Sequence, residues 1–317
     1  MGGSKTSSDT QGNVRGEMPA VDSEKLADEL RNFEEIVRTI LPSPGEVPHL
    51  PGVDIAGSSL PLSGTTGGDH IIYVDFNRRF DLDARIRKAQ AAGSRDVVRA
   101  LEENRRRSGI LLADVSGHRA TDALVAAMLH QAFLLGSYYE LEISGEITTR
   151  LLEYIKKRFY ETTNIKKFFT LLYGEISREG RFRFVSAASP PPLIFSREHQ
   201  RMYSLDSRLA ISQAPVGFFP SEDDPDKARL SNEEDAASRF SINEIQLLSE
   251  GDALLIYTDG LADHDEGRFF THELEPILIA ALAEPAAEIA ERVAAAVRSA
   301  GEQQDDITFV IIKRTSD

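Results

Sequence analysis

The chain contains no cysteine and no tryptophan among its 317 residues. Without cysteine it cannot form disulfide bonds, use a thiolate nucleophile, or bind zinc or iron–sulfur clusters through sulfur. It also has no apolar run near the roughly 18 residues that predict a membrane-spanning helix. The sequence therefore excludes thiol chemistry, and its 41% hydrophobic and 27% charged residues are typical of a globular protein without a membrane span.

Basic residues are outnumbered by acidic ones, with 36 Lys and Arg against 51 Asp and Glu and a net charge of −15. A field of this sign repels phosphate backbones and anionic lipid surfaces, so we expect neither nucleic acid nor a membrane as a partner. The first twenty residues have no apolar segment behind their basic residues, which is unlike a signal peptide. A cytoplasmic location is therefore the expectation.

The N-terminal region divides into a polar tail and a helix. Residues 1–22 lack periodic apolar positions and are predicted to be a disordered tail. Over 23–41 the pattern predicts an amphipathic helix, because apolar residues recur at helical spacing at Leu26, Leu30, Phe33, Val37 and Ile40. Two interpretations stay open: the helix packs on its own domain, or residues 26–40 form a short coiled coil that makes a homodimer.

Two segments differ in charge from their surroundings. Residues 77–108 carry ten basic and five acidic residues, which predicts either a solvated helical hairpin or a docking surface for an acidic partner. Residues 220–239 carry seven acidic and three basic residues with almost no large apolar ones, which predicts an exposed loop.

The remaining pattern predicts strands joined mostly by hairpin turns, such as the turn at 178–180. The helix predicted after residue 119 is apolar around much of its circumference, so we expect it to be buried between layers. The segment 258–261 reads as a turn between the strand 252–257 and further helices. Strands outnumber parallel crossovers, which favours an α+β sandwich.

Aspartates follow or precede the apolar strands at turns: Asp69, Asp114, Asp259, and Asp305 with Asp306. Each one alone is more typical of a turn or a cap. Because strand ends lie at the rim of a sheet, however, two sheets packed face to face would bring these carboxylates into one cleft. Gathered carboxylates repel one another unless a cation neutralises them, and an all-oxygen site suits Mg²⁺ or Mn²⁺.

The aspartates belong to an ordered series of motifs: Gly67-Gly68-Asp69, Ala113-Asp114-Val115-Ser116-Gly117-His118, Ser186-Ala187-Ala188-Ser189-Pro190-Pro191-Pro192, Tyr257-Thr258-Asp259-Gly260-Leu261 and Asp305-Asp306-Ile307-Thr308. From about residue 50 to 314 this series resembles the sporulation-protein-E (SpoIIE-like) branch of the PPM metal-dependent phosphatases, relatives of the 2C-type serine/threonine phosphatases. The resemblance implies a PPM phosphatase domain over 42–317, in which 77–108 and 220–239 are insertions. The implied fold is an αββα four-layer sandwich of two antiparallel sheets flanked by helices.

The resemblance also implies an activity, the hydrolysis of phosphoserine or phosphothreonine on a bacterial signalling protein such as an anti-sigma-factor antagonist. Water activated by two Mn²⁺ or Mg²⁺ ions would be the nucleophile. By the family pattern Asp114 would bridge the ions, and the Val115 carbonyl would complete one site. Asp259 and Asp305 would hold the second ion, and Asp69 would bind a metal or orient the water. Asp306 and Thr308 would be supporting groups.

The sequence departs from the family pattern at two motifs. Ser186, Ala188 and Ser189 stand where the family usually has Asn, Gly and His, and Arg119 stands where it has Gly. Arg119 is a candidate contact for the substrate phosphate, although an arginine in the first turn of a helix is more often solvated. His118 suits a structural hydrogen bond at the start of that helix better than the role of general acid.

The departures leave two functions open. The leading one is the phosphatase, and the alternative is a catalytically weak or inactive PPM domain that serves as a regulatory protein-binding module. The interpretation of this chain as a nucleotide cyclase with a Gly-Gly-Asp hairpin fails, because His-Ile-Ile follows Asp69 in this sequence.

Overall fold

The computed structural model describes residues 23–40, 47–62, 67–117, 120–162, 167–205, 210–218, 240–247 and 249–316. The predicted tail 1–22, His118, Arg119 and the predicted loop 220–239 lie outside the described residues. Within the described part, none of the helices is both long and apolar enough to cross a bilayer.

The strands form two sheets. The first sheet has five strands in the order β1-β11-β10-β6-β7, with bounds β1 Val53–Leu60, β6 Leu193–Ser196, β7 Arg201–Ser204, β10 Ala253–Tyr257 and β11 Ile307–Arg314. The second has six strands, in the order β2-β3-β4-β5-β8 with β9 also paired to β5, with bounds β2 His70–Asp75, β3 Arg107–Val115, β4 Phe169–Ser177, β5 Arg181–Ala187, β8 Ser212–Gln213 and β9 Asn243–Gln246.

Neighbouring strands run antiparallel except for the short parallel pair β5 and β8. The hairpin predicted across 178–180 joins β4 to β5, with Leu172 opposite Ser186. In the other sheet β11 lies between β1 and β10, so Tyr257 near the end of β10 faces Phe309 near the start of β11.

Helices cover the outer face of each sheet, and their bounds are α1 Ser23–Ile40, α2 Phe76–Arg79, α3 Leu82–Ala91, α4 Arg95–Asn104, α5 Ala120–Ile143, α6 Thr149–Thr162, α7 Asp259–Asp263, α8 Leu274–Ala281 and α9 Ala286–Ser299. Three apolar clusters separate the layers. One lies between the two sheets, one between the second sheet and α2 to α6, and one between the first sheet and α7 to α9. The predicted α+β, αββα sandwich is confirmed.

Side-chain alternation explains why both sheets are covered on two faces. In β3 Ile110 and Leu112 point into the space between the sheets, while Leu111 and Ala113 pack under the helices. All four side chains are at most 2% exposed. A strand buried on both faces must be apolar throughout, which is the pattern of this segment.

The long helix α5 differs from the expectation that it would be buried all round. Leu129 and Phe133 are fully buried against the second sheet, but Met128 and Leu135 are 44% and 62% exposed. The reason is that one face of α5 packs on the sheet, whereas the opposite face lies on the outside of the helical layer.

The N-terminal helix α1 spans the predicted segment and contacts α5. Two members of its apolar stripe, Leu26 and Leu30, are 57% and 46% exposed. Homodimerisation through residues 26–40 stays a prediction.

The Arg-rich segment 77–108 forms α3 and α4, which pack against each other. Leu82, Ile86 and Leu101 are buried in the helical layer. Some of the basic side chains form surface ion pairs, such as Lys88 with Glu142, while Arg105 at the end of α4 pairs with Asp83 of α3 and the buried Arg107 pairs with Glu175.

Candidate functional site

Strand ends from both sheets meet at one edge of the sandwich and carry the aspartates singled out above. Asp69 directly precedes β2, and Asp114 is the penultimate residue of its antiparallel neighbour β3. In the other sheet Asp259 follows β10 and Asp305 precedes β11. Antiparallel pairing therefore places both members of each pair at the same end of their sheet.

Hydrogen bonds across the two sheets show that these two ends meet. Thr258 directly follows β10 of the first sheet, and its hydroxyl donates at 2.8 Å to Oδ2 of Asp69, which directly precedes β2 of the second sheet. The Gly68 N–H donates to Asp306 Oδ2 at 2.6 Å, and the Leu62 N–H donates to Asp306 Oδ1 at 2.7 Å. Asp306 is 3% exposed and both its oxygens are satisfied by the backbone, so its carboxylate joins the sheets.

Asp69 is the most deeply buried of the four predicted ligands, with 4% exposure. Burial and then the negative charge of Asp114 raise the pKa of Asp69 well above its ordinary value, although the hydrogen bond from Thr258 acts in the opposite direction. Among the described residues nothing donates a hydrogen bond to its second oxygen, Oδ1, which is buried. An unsatisfied buried oxygen is costly, so this atom is a candidate ligand for a cation.

Asp114 lies at the centre of the acidic group. Burial, followed by the charges of Asp259 and Asp305, raises its pKa from 3.8 to about 7. The carboxylates of Asp259 and Asp305 are thus close enough to Asp114 to disfavour its ionisation, and a cation among them would remove that cost. Asp259 and Asp305 are exposed at the mouth of the site.

The carboxylates are neighbours, but they do not have the spacing of an assembled metal site. Among the described residues no group of three or more His, Asp or Glu side chains is arranged to hold a metal ion. The donor set nevertheless fits hard divalent cations, because it consists of carboxylate oxygens and one of them, Asp69 Oδ1, is buried and without a hydrogen-bond donor in the described structure.

The turn after β3 is packed tightly against the loop that precedes β2. The Val115 N–H bonds to the Gly68 carbonyl at 3.4 Å. A Cβ added to Gly68 would lie 2.6 Å from the carbonyl oxygens of both Val115 and Gly117. Glycine at position 68 therefore permits the close approach that places Val115 beside Asp69.

We expect Gly68→Ala to destabilise the protein by about 2 kcal/mol, because the added methyl meets backbone oxygens that cannot rotate away. Urea denaturation followed by circular dichroism measures the change. Gly93→Ala is the control: its φ of +69° is also unfavourable for alanine, but its Cβ would have no atom within 4 Å. If Gly68→Ala is as stable as the wild type, the tight contact described here is wrong.

The segment 258–261, predicted as a turn, is instead the start of the short helix α7. Asp259 is its first residue, and Gly260 lies so close to the Asp306 carbonyl that a Cβ there would overlap it. This contact requires glycine and brings Asp259 next to the strand end that carries Asp305.

The motif that departs from the family pattern lies at the end of β5. Ser186 Oγ is 3.0 Å from Ser212 Oγ, and Ala188 donates its N–H to the Gln213 carbonyl at 2.7 Å. Ala188 has a φ of +56°, in the left-handed region that favours glycine. Position 188 is where the family pattern has Gly, and this chain adopts a conformation that favours glycine with an alanine.

The structure places Asp69, Asp114, Asp259 and Asp305 at one edge of the sandwich, and their role as metal ligands stays a prediction. Arg119 lies outside the described residues, so its contact with phosphate stays a prediction. Sequence reasoning missed Lys167, which donates to the turn after β3, and Asp122, which forms an ion pair with Lys167. No motif signals this pair, because its members are far apart in the sequence and belong to different elements.

Residues 104–315 match the family described as Stage II sporulation protein E (SpoIIE). None of the curated protein sequences compared matches the chain significantly.

Solved structures share the fold at low sequence identity. The SiaA-PP2C domain of Pseudomonas aeruginosa is 17% identical with a TM-score of 0.61, and the match covers 94% of this chain and 100% of that one. The RsbU and RsbW domains of Rv1364c from Mycobacterium tuberculosis are 21% identical with a TM-score of 0.60, over 85% of this chain and 62% of that one. This chain thus spans less than two thirds of the mycobacterial chain. The catalytic domain of the serine/threonine phosphatase PstP, in complex with two manganese ions, is 12% identical with a TM-score of 0.50, over 83% and 99% of the two chains.

Proposed function

The chain belongs to the SpoIIE family, in the PPM branch of protein phosphatases, and from this premise we propose that it is a metal-dependent phosphoserine/phosphothreonine phosphatase. The observation that supports the proposal is the meeting of four predicted ligand carboxylates at one edge of the sandwich. Burial, and then the negative charges of Asp259 and Asp305, raise the pKa of Asp114 to about 7, which is the electrostatic environment that a divalent cation would stabilise.

The residues that would hold two Mn²⁺ or Mg²⁺ ions are Asp69, Asp114, Asp259, Asp305 and the carbonyl of Val115. When bound, such ions would neutralise charge on the phosphoryl oxygens and make water a better nucleophile. Asp69 is buried and its Oδ2 accepts from the Thr258 hydroxyl, whereas Asp259 and Asp305 are exposed at the mouth of the site.

The protein's own groups would then orient the reactants. The Thr258 hydroxyl donates to Asp69 Oδ2 and so fixes the carboxylate. Asp69 Oδ1 takes no part in that bond and would be able to bind a cation or accept a hydrogen bond from water. The buried Asp306 fixes the spacing between the two sheets and so the distance between Asp69 and Asp305. No cysteine or other covalent nucleophile is needed for this chemistry.

We expect the purified protein to hydrolyse para-nitrophenyl phosphate and a phosphoserine peptide with Mn²⁺ or Mg²⁺, and to lose this activity in EDTA. Release of nitrophenol and of inorganic phosphate measures the two reactions. Turnover that persists in EDTA would contradict the metal requirement, and no turnover with either metal would contradict the phosphatase.

The physiological substrate we propose is a phosphorylated bacterial signalling protein, such as an anti-sigma-factor antagonist. This part of the proposal derives from the family pattern. A cytoplasmic location and a homodimer formed through residues 26–40 likewise remain predictions of the sequence.

A regulatory binding module without catalytic activity is the second candidate. It is favoured by two observations: Ser189 replaces the family's usual His, and no three acidic or imidazole side chains in the described residues already have metal-site spacing. Calorimetry separates the candidates, because a module of this kind would bind a phosphoprotein but would neither bind Mn²⁺ nor release phosphate.

A further inference from the structure

A buried ion pair lies beside the turn that follows β3. Lys167 Nζ is 2.6 Å from Asp122 Oδ1, and the Asp122 side chain is completely buried, while that of Lys167 is 25% exposed. Lys167 also donates to the Ser116 carbonyl at 2.9 Å. Burying a carboxylate is costly unless it is paired, so the pair is a specific arrangement and not a surface contact.

The pair connects three segments of the chain. Asp122 lies in the first turn of α5, Ser116 in the turn after β3, and Lys167 just before β4. Gly117 has a φ of +114°, and a Cβ there would lie 2.7 Å from Asp122 Oδ2 and 3.1 Å from Lys167 Nζ. The ion pair therefore occupies the space that a side chain at position 117 would need.

The orientation of the Val115 carbonyl follows from these contacts. The Ser116 N–H donates to the Phe168 carbonyl at 3.0 Å. Because the peptide between Val115 and Ser116 is planar and trans, the Val115 carbonyl must point away from Phe168. It points towards Gly68, whose added Cβ would lie 2.6 Å from that oxygen. Lys167 fixes the next peptide by holding the Ser116 carbonyl, so two successive peptide planes are constrained.

We propose that Lys167 and Asp122 are positioning residues that hold the turn 115–117 and so present the Val115 carbonyl as a metal ligand. This inference rests on the proposed function. Neither side chain is assigned to the metal or to the substrate. Lys167 acts through Ser116, and Asp122 acts by fixing the ammonium group of Lys167. Loss of either one frees the Ser116 carbonyl and lets the Val115 peptide rotate.

Lys167→Met tests the proposal, since it keeps the length of the side chain and removes its charge and its donors. We expect its affinity for Mn²⁺, measured by calorimetry on protein stripped of metal, to fall about 10- to 100-fold, which is the usual effect of losing a group that orients a ligand. At saturating Mn²⁺ we expect kcat for para-nitrophenyl phosphate to recover most of its wild-type value, with KM unchanged. Lys167→Arg should restore affinity in part, because it keeps a cation beside Asp122.

Lys88→Met is the matched control, because Lys88 forms an exposed ion pair with Glu142 far from the turn. It should bind Mn²⁺ as the wild type does. Asp122→Asn keeps the shape of the aspartate and should weaken Mn²⁺ binding as Lys167→Met does. The double variant should lose little more than either single variant, because both changes remove one interaction.

Wild-type Mn²⁺ affinity in folded Lys167→Met would overturn the inference. So would a raised KM with unchanged Mn²⁺ affinity, which would assign Lys167 to the substrate. If Lys167→Met does not fold, the Mn²⁺ affinities of Lys167→Arg and Asp122→Asn, measured by calorimetry, test the inference in its place. Failure of the wild type itself to bind Mn²⁺ would instead contradict the proposed function, so the two failures are distinguishable.

Discussion

Asp259→Asn should lower metal-dependent hydrolysis of para-nitrophenyl phosphate by about 1,000-fold in kcat/KM. The substitution keeps the shape of the side chain and removes the charge with which the first residue of α7 would hold a cation. Metal ions contribute several kcal/mol of charge stabilisation in a transition state, and each factor of ten in rate corresponds to about 1.4 kcal/mol. The measurement is steady-state hydrolysis over a range of Mn²⁺ concentrations.

The control for Asp259→Asn is Asp263→Asn, at the other end of the same short helix and also exposed. It removes the same charge from α7 without touching the cluster around Asp114, so its kcat/KM should stay within about twofold of the wild type. Equal losses in the two variants would show that net charge, and not the proposed ligand, governs activity. Full activity in Asp259→Asn would remove that residue from the site.

Asp114→Asn should make the metal-free protein more stable at pH 8, even though it removes a predicted ligand. Burial, and then the charges of Asp259 and Asp305, raise the pKa of Asp114 to about 7 in the folded state. Its value in an unfolded chain is near 3.9. The folded state therefore holds this proton more tightly, and the stability that Asp114 contributes is complete below about pH 4 and is lost as the pH rises through 7.

Asparagine is neutral at every pH, so the variant avoids this loss. At pH 8 we expect a gain on the order of 3 kcal/mol in the free energy of unfolding, which shrinks towards pH 4. Urea denaturation in EDTA at pH 4.5, 6 and 8 measures it. With saturating Mn²⁺ at pH 8 the wild type should instead be more stable than Asp114→Asn, because a ligand that binds only the folded wild type stabilises it. A difference that does not depend on pH would contradict the raised pKa.

Local sequence pattern predicted the strands and their ends well, because burial on both faces leaves a clear signal in segments such as β3. The placement of Asp69, Asp114, Asp259 and Asp305 at strand ends followed from that pattern. The expectation that they share a cleft needed one further assumption, that two sheets pack face to face. The contact between Thr258 and Asp69 confirms that the two strand ends meet.

Features that depend on distant parts of the chain could not be predicted in this way. Asp306 accepts from Gly68 across 238 positions of sequence, and this contact has no local signature. The local pattern at 258–261 predicts a turn, whereas the structure begins α7 at Asp259. The close approach of Gly260 to the Asp306 carbonyl, which accompanies this helix start, is a tertiary contact that the local pattern does not contain. The same holds for Lys167, whose role depends on a partner in α5.

Titration of Mn²⁺ into protein stripped of metal, followed by calorimetry, tests the central claim most directly, since it measures the site independently of any substrate. We predict saturable binding of two ions per chain by the wild type at pH 8, and loss of this binding in Asp114→Asn. Absence of saturable binding by the wild type, or unchanged binding by folded Asp114→Asn, would contradict the assignment of these strand-end carboxylates as a metal centre.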